Sequence, residues 1–421
     1  MKRTKIVIAF LTLLSLNVWG QTKNTAFIQI YDLIEQKNFF KAKEIYDLQK
    51  KDLSDTHQKF VEAFLDNAFN RLDESNNHIN QLIKAESNLP DSLILELYKI
   101  KEDNYVKLFD YKEAKNALTT ILKDYKDLLS ENEINGIENS LKIWSALENE
   151  PKQKTFIQDA VRLKIEKDKV GLNNLKVSKG KDSLSFIFDT GANLSTVSKS
   201  TAQQFGMKII PVDIKVGTIT GEKVPAQIAV CPEFKLDNIE ILNSIFLVLD
   251  DNALAFPQID YQIYGVLGFP VIEALREIQI TRDGYFIVPK EETKNSFESN
   301  MAMDGLTPLI YINQRHFTFD TGADRTLFYH SYYIENQKEI NKNYTSEKIS
   351  FGGAAGRKEF DGYVISVNIN ILDKEITLKD IQLLKEKIKD NETVYGNIGQ
   401  DLIKQFHKMT MNFDRMFIKF D

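Results

Sequence analysis

Two short stretches decide the fold: residues 186–192 read Phe-Ile-Phe-Asp-Thr-Gly-Ala, and residues 317–323 read Phe-Thr-Phe-Asp-Thr-Gly-Ala. In each, an acidic residue, Asp189 or Asp320, follows an alternating apolar run that is typical of a half-buried strand. A single Asp-Thr-Gly is weak evidence, because Asp and Gly are common in turns after strands. Two copies, each preceded by the same apolar residues and followed by Ala, indicate a duplicated unit.

The duplication extends beyond these motifs at a constant displacement of 131 residues, from 189 to 320. The same displacement relates Tyr264-Gly265 to Tyr395-Gly396, Gly268 to Gly399, Asp283 to Asp414, and Phe286-Ile287 to Phe417-Ile418. Frequent turn residues after Pro151 favour short strands joined by tight turns. We therefore expect two copies of one β fold over residues 155–289 and 304–421, joined by a polar linker over 290–303.

These features resemble the pepsin/retropepsin-like aspartic protease family, and the resemblance covers about residues 155–421. That family also has an apolar-apolar-Gly segment followed by a short helix. Residues 266–272, Val-Leu-Gly-Phe-Pro-Val-Ile, match this segment, and residues 397–403 match it with Asn397 as a polar departure. Since both motifs lie in one chain, as in pepsins, the resemblance implies a bilobal β acid-protease fold whose catalytic unit is a monomer.

The resemblance implies that Asp189 and Asp320 are the catalytic pair of an aspartic endopeptidase, which needs no cofactor and no metal. Two carboxyls about 3 Å apart cannot both ionise, so the pair shares one proton and activates a water between its members. Which of the two holds the proton is left open by the sequence, because the pair titrates as a unit.

The resemblance also assigns supporting roles in the catalytic loops to Thr190, Gly191, Ala192, Thr321, Gly322 and Ala323. The threonines would hold the two loops together, and the glycines would let the carboxyls approach. In pepsin-like relatives a hydroxyl at each Ala position stabilises the charged carboxylate. We therefore expect the pair to lose that hydrogen bond in both lobes and to stay singly protonated to higher pH.

Glycine-tipped hairpins, called flaps, close over the substrate in this family. The candidates here are Gly217, Thr218, Ile219, Thr220 and Gly221 in the first copy, and Gly352, Gly353 and Ala354 in the second.

Residues 25–152 read as helix throughout and form a predicted α-helical domain. Three segments recur at intervals of 36 residues, from 39 to 75 and from 75 to 111: Phe39-x-x-Ala42, Ser75-x-x-His78 and Tyr111-x-x-Ala114. The third resembles the start of the second helix of a tetratricopeptide repeat. An irregular helical bundle is the alternative. We expect this region to fold separately and to bind a protein partner.

Residues 1–20 carry a basic start and a short apolar run, which is typical of a secretory signal peptide. The run is shorter than a membrane-spanning helix requires, so we expect an exported protein, periplasmic or secreted, without stable membrane insertion after cleavage. Removing Lys2, Arg3 and Lys5 takes the formal net charge from -6 to -9, which argues against nucleic acid as a partner. The lone Cys231 is predicted to be buried.

The leading hypothesis is thus hydrolysis of a polypeptide substrate. The alternative is a catalytically silent peptide-binding or scaffold protein that uses the same cleft and the helical domain. The five histidines show no metal-ligand spacing: His57, His78, His316, His330 and His407.

Overall fold

The computed structural model describes residues 25–85, 89–217, 223–294, 299–353, 356–371, 374–388 and 392–421. The predicted signal peptide, residues 1–20, lies outside these ranges. The described residues form a helical N-terminal region followed by mostly β structure. None of the helices within these ranges has the length and apolar character needed to cross a bilayer.

The N-terminal region is built from helices that pack as successive pairs. They are α1 (25–35), α2 (Phe39–Gln49), α3 (Asp55–Ala68), α4 (Leu72–Lys84), α5 (Asp91–Lys107), α6 (Tyr111–Asp124) and α7 (Glu131–Leu147), with 3-10 turns at Lys50–Asp52 and Lys126–Leu128.

The loops that follow α1, α3 and α5 share one geometry. Each contains a residue with positive φ, namely Lys37, Asn70 or Phe109. In each, the next amide donates to the carbonyl five residues earlier, which satisfies an unpaired carbonyl at the helix end. The 36-residue recurrence therefore falls in α2, α4 and α6, the second helix of each pair. The tetratricopeptide-like assignment itself stays a prediction.

The first lobe contains a large sheet with the strand order β1-β9-β6-β12-β5-β4-β8-β7, and β3 pairs with β4. Its strands are β1 (Lys154–Phe156), β3 (Glu166–Lys167), β4 (Asn173–Lys179), β5 (Asp182–Phe188), β6 (Ser195–Ser198), β7 (Lys208–Gly217), β8 (Lys223–Leu236), β9 (Ile239–Leu249) and β12 (Gly265–Leu267). A small hairpin, β10 (Ala255–Phe256) and β11 (Tyr261–Gln262), lies beside 3-10 turns at Asp251–Leu254 and Pro257–Ile259. The lobe also contains α8 (Lys199–Gln204) and α9 (Phe269–Glu273).

The second lobe repeats this plan with the order β15-β16-β17-β22-β18-β21-β20-β19. Its strands are β15 (Met301–Asp304), β16 (Thr307–Ile312), β17 (Arg315–Phe319), β18 (Leu327–Phe328), β19 (Glu347–Gly353), β20 (Gly356–Ile371), β21 (Lys374–Leu384) and β22 (Gly396–Ile398). Its helices are α10 (His330–Asn343) and α11 (Gln400–Ile403). Strand β15 begins before the predicted lobe boundary at residue 304.

A third sheet joins the lobes in the order β2-β14-β13-β23-β24. Its strands are β2 (Val161–Lys164), β13 (Glu277–Thr281), β14 (Tyr285–Val288), β23 (Lys408–Asn412) and β24 (Phe417–Phe420). At its centre, Gln279 of β13 pairs with Thr410 of β23 in antiparallel register. These two residues are themselves related by the displacement of 131, so the register places an internal pseudo-twofold axis between them.

The helical region packs against both lobes. Phe40 stacks on Tyr311 of β16 with ring centroids 4.6 Å apart, and Asn70 donates to Glu273 at 3.2 Å in lobe 1. Buried side chains of α1–α3 belong to the same apolar core as those of both lobes. We predicted a separately folding helical unit, but these contacts argue against it, because removing the helices would expose apolar surface that the lobes now bury.

Candidate active site

The two Asp-Thr-Gly-Ala loops are positioned by equivalent backbone contacts in the two lobes. Strand β12 lies parallel to β5, and β22 lies parallel to β17. The amide of Asp189 donates to the Leu267 carbonyl at 3.1 Å, and that of Asp320 donates to the Ile398 carbonyl at 2.9 Å. Since Leu267 and Ile398 are also 131 residues apart, each lobe presents its acid at the end of a strand in the same way.

A second pair of contacts fixes the glycine of each apolar-apolar-Gly segment. The Gly268 amide donates to Ser195 Oγ at 3.0 Å, and the Gly399 amide donates to Thr326 Oγ1 at 3.1 Å. Both hydroxyl residues are buried, so each of these bonds is shielded from water. The hydroxyl residue shortly after each Asp-Thr-Gly-Ala motif therefore ties the two motifs of its lobe together.

The threonines link the loops across the pseudo-twofold axis. The Thr190 amide donates to Thr321 Oγ1 at 3.1 Å, and the Thr321 amide donates to Thr190 Oγ1 at 3.0 Å. In turn, Thr190 Oγ1 donates to the Phe319 carbonyl at 2.7 Å, and Thr321 Oγ1 donates to the Phe188 carbonyl at 3.0 Å. Because both threonines are almost fully buried, this reciprocal set holds the two acidic loops at a fixed separation.

The carboxyls of Asp189 and Asp320 are hydrogen-bonded to each other. Each also accepts from the glycine of its own loop: Gly191 N donates to Asp189 Oδ1 and Gly322 N to Asp320 Oδ1, both at 2.8 Å. A methyl group on Gly191 would lie within 3 Å of the Asp320 carboxyl, and one on Gly322 would meet Asp189 in the same way. The carboxyls can approach this closely only because both positions lack a side chain.

Burial raises the pKa of Asp189 well above its usual range, and the neighbouring Asp320 charge and the hydrogen bond between the carboxyls act in the same direction. The amides of Gly191 and Ala192 oppose this by stabilising the charged form. Such a pair can hold one proton at a pH where an isolated Asp has lost its own.

The surroundings of the two carboxyls differ at one residue. Asn397 Nδ2 donates to Asp320 Oδ2 at 2.9 Å, whereas the residue at the same place in lobe 1 is Val266, which has no donor. We expected both carboxyls to lose a second side-chain donor because of Ala192 and Ala323. For Asp320 that expectation is wrong, because Asn397 supplies one. The signal in the sequence was the polar departure in an otherwise apolar segment.

The flap candidates lie on hairpins in both lobes. Strands β7 and β8 pair up to Gly217 and Lys223, so Gly217 ends a strand, while Thr218, Ile219, Thr220 and Gly221 lie outside the described residues. In lobe 2, Gly352 and Gly353 end β19, and Ala354 lies outside the described residues. Asn139 of α7 exchanges hydrogen bonds of 3.0 and 2.9 Å with the backbone of Lys215, so a helix supports the lobe 1 hairpin.

The other reactive side chains lie away from the pair. Cys231 is buried as predicted, and burial raises the pKa of its thiol to about 11. His57 stacks on Phe27, and His316 bonds the Gln36 carbonyl where α1 ends beside lobe 2. Over the described ranges, no cluster of three or more His, Cys, Asp or Glu side chains is arranged to hold a metal ion.

Comparisons with known proteins support the same class. A family model described as aspartyl protease matches residues 174–271, which include the first Asp-Thr-Gly-Ala motif and the segment after it. No curated protein matches the chain. The crystal structure of basic 7S globulin from soybean is similar over 62% of this chain and 94% of that chain, with 10% identity and a TM-score of 0.40. That score carries no argument, and the family match supports an aspartic protease-like protein.

Proposed function

We propose that the protein is an aspartic endopeptidase that hydrolyses peptide bonds with Asp189 and Asp320 as its catalytic pair. The observation that carries the proposal is the hydrogen-bonded carboxyl pair on two loops that interlock through their threonines. A binding protein has no need of two acids whose proximity raises the pKa of one of them.

In the proposed reaction, one carboxylate accepts a proton from a water as its oxygen attacks the peptide carbonyl carbon. The protonated carboxyl gives its proton to the carbonyl oxygen, which forms a tetrahedral diol. The C–N bond then breaks as the nitrogen takes a proton from the pair, and the amine and the carboxylic acid leave. No covalent intermediate forms, and the pair ends with the single proton with which it started.

The remaining expectations belong to the same proposal. The catalytic unit is a monomer, because one chain supplies both half-sites. It acts on polypeptides outside the cytoplasm after signal-peptide cleavage, and the helical region supports the lobes and offers a surface to a protein partner.

The decisive experiment is cleavage of an unfolded protein by wild type, Asp189→Asn, Asp320→Asn and the double variant. Each single change should lower turnover by about 10⁴-fold or more, and the double variant should be no worse, because the pair acts as a unit. Asp324→Asn is the matched control, since Asp324 lies near the second motif but pairs with Lys404 at 2.9 Å. Full activity in either single variant, or equal loss in the control, would refute the assignment.

A further inference from the structure

Asn397 is held in one orientation by a buried chain of hydrogen bonds. Thr318 Oγ1 donates to Asn397 Oδ1 at 2.6 Å, and Asn397 Nδ2 donates to Asp320 Oδ2 at 2.9 Å. The hydroxyl of the buried Tyr329 is in turn hydrogen-bonded to Thr318. Because Thr318 occupies the amide oxygen, the amide nitrogen is the group that faces Asp320.

This orientation distinguishes between the protonation states of Asp320. A carboxylate oxygen accepts hydrogen bonds only, so an amide N–H beside it favours the charged form. A protonated Asp320 with its proton on Oδ2 would instead present an O–H to the N–H, and two donors would oppose each other. The other oxygen, Oδ1, is occupied by the Gly322 amide, which also favours the charged form.

Lobe 1 has no equivalent of this chain. The positions related by 131 residues to Thr318, Tyr329 and Asn397 are Ile187, Ser198 and Val266. Val266 pairs with Ile187 in the register in which Asn397 pairs with Thr318, so the difference lies in the side chains and not in the backbone. Asp189 accordingly accepts from backbone amides of its own loop, Gly191 and Ala192.

We infer that Asn397 is a positioning residue that keeps Asp320 as the ionised member of the pair, so that the shared proton resides on Asp189. The inference rests on the proposed function for its role in catalysis: Asp320 takes the proton from water, and Asp189 gives its proton to the peptide carbonyl. The raised pKa of Asp189 agrees with this division. Of the described residues, Asp189 and Tyr329 are the titratable groups whose charges act on Asp320, and the pKa of Tyr329 is itself raised by burial, which keeps its phenol neutral.

The inference predicts an asymmetric change in the pH profile of kcat/KM. The Asn397 donor stabilises the singly ionised pair relative to the doubly protonated pair, and so lowers the first apparent pKa. It contributes equally to the singly and doubly ionised pairs, in both of which Asp320 is charged, and so leaves the second unchanged. Asn397→Val should therefore move the acidic limb up by about one pH unit and leave the alkaline limb in place.

The experiment measures these profiles on a short peptide for wild type, Asn397→Val, Thr318→Val and the matched control Ile187→Val. Thr318→Val keeps the amide but removes the group that orients it, so a smaller shift of the acidic limb in the same direction is expected. Ile187→Val removes one methylene at the equivalent place in lobe 1 and should leave both limbs unmoved. Thermal unfolding of each variant checks that it is folded.

Carbon-13 NMR titration of the Asp carboxyls, assigned with the Asp→Asn variants, gives a readout that does not depend on turnover. In wild type the Asp320 signal should titrate before that of Asp189, and Asn397→Val should delay it. An unmoved acidic limb, a moved alkaline limb, or Asp189 titrating first would overturn the inference. If no peptide is cleaved, the proposed function fails, and the NMR titration still decides which carboxyl holds the proton.

Discussion

The two lobes are nearly identical at their acidic loops and differ in the strand beside those loops. Equivalent donors and acceptors, each pair 131 residues apart, position Asp189 and Asp320, and the threonine contacts are reciprocal. One strand away, Val266 in lobe 1 corresponds to Asn397 in lobe 2. The comparison shows that backbone contacts determine where the carboxyls lie, whereas neighbouring side chains determine how each is charged.

The largest effect is expected at the glycines. Gly191→Ala and Gly322→Ala each place a methyl group against the carboxyl of the other lobe, so each should displace one member of the pair and lower kcat/KM by about 10²-fold or more. The approach is closer at Gly322, so its substitution should be the more damaging of the two.

Gly136→Ala in α7 serves as the control, because a methyl group there meets no atom of the described residues within 4 Å and Ala favours helix. Peptide cleavage, measured beside circular dichroism of each variant, tests the expectation. Wild-type activity in either loop variant would mean that the carboxyls need not approach as closely as the structure has them.

The threonine contacts should be of equal importance in the two lobes. Thr190→Val leaves the Thr321 amide and the Phe319 carbonyl without their partner, and Thr321→Val does the same to the Thr190 amide and the Phe188 carbonyl. Each variant should lower the free energy of unfolding by about 1–3 kcal/mol, because buried groups lose their hydrogen bonds.

Urea denaturation of the single and double variants measures these losses and the coupling between them. Thr410→Val is the matched control, since the Thr410 hydroxyl is buried and has no hydrogen-bond partner among the described residues. A loss confined to one lobe would contradict the reciprocal arrangement.

Sequence reasoning could find the pair because duplication makes two weak motifs reinforce each other at a single displacement. It could not find the donation from Asn397 to Asp320, because the apolar-apolar-Gly pattern records hydrophobicity and treats Asn397 as a mismatch. It also could not show that the helices cover both lobes. Phe40 and Tyr311 contact each other across a long stretch of chain, and local periodicity identifies an apolar face without identifying what covers it.

The smallest effect, and the most informative about the difference between the lobes, is expected from adding a hydroxyl after each glycine. In Ala192→Ser, the new hydroxyl can donate to Asp189, which carries the proton and whose pKa burial and the Asp320 charge raise. The donor stabilises the charged form of Asp189, and thus the doubly ionised pair, so the second apparent pKa falls. The alkaline limb of kcat/KM should move down by up to about one pH unit.

Ala323→Ser should leave the alkaline limb in place, because Asp320 is ionised on both sides of that transition and Asn397 already donates to its Oδ2. The two variants are therefore each other's control, with the same change of side chain at positions related by the pseudo-twofold axis. Equal shifts of the alkaline limb would show that the proton is shared evenly and that Asn397 does not divide the roles of the pair. A shift in Ala323→Ser alone would place the proton on Asp320 and reverse the assignment.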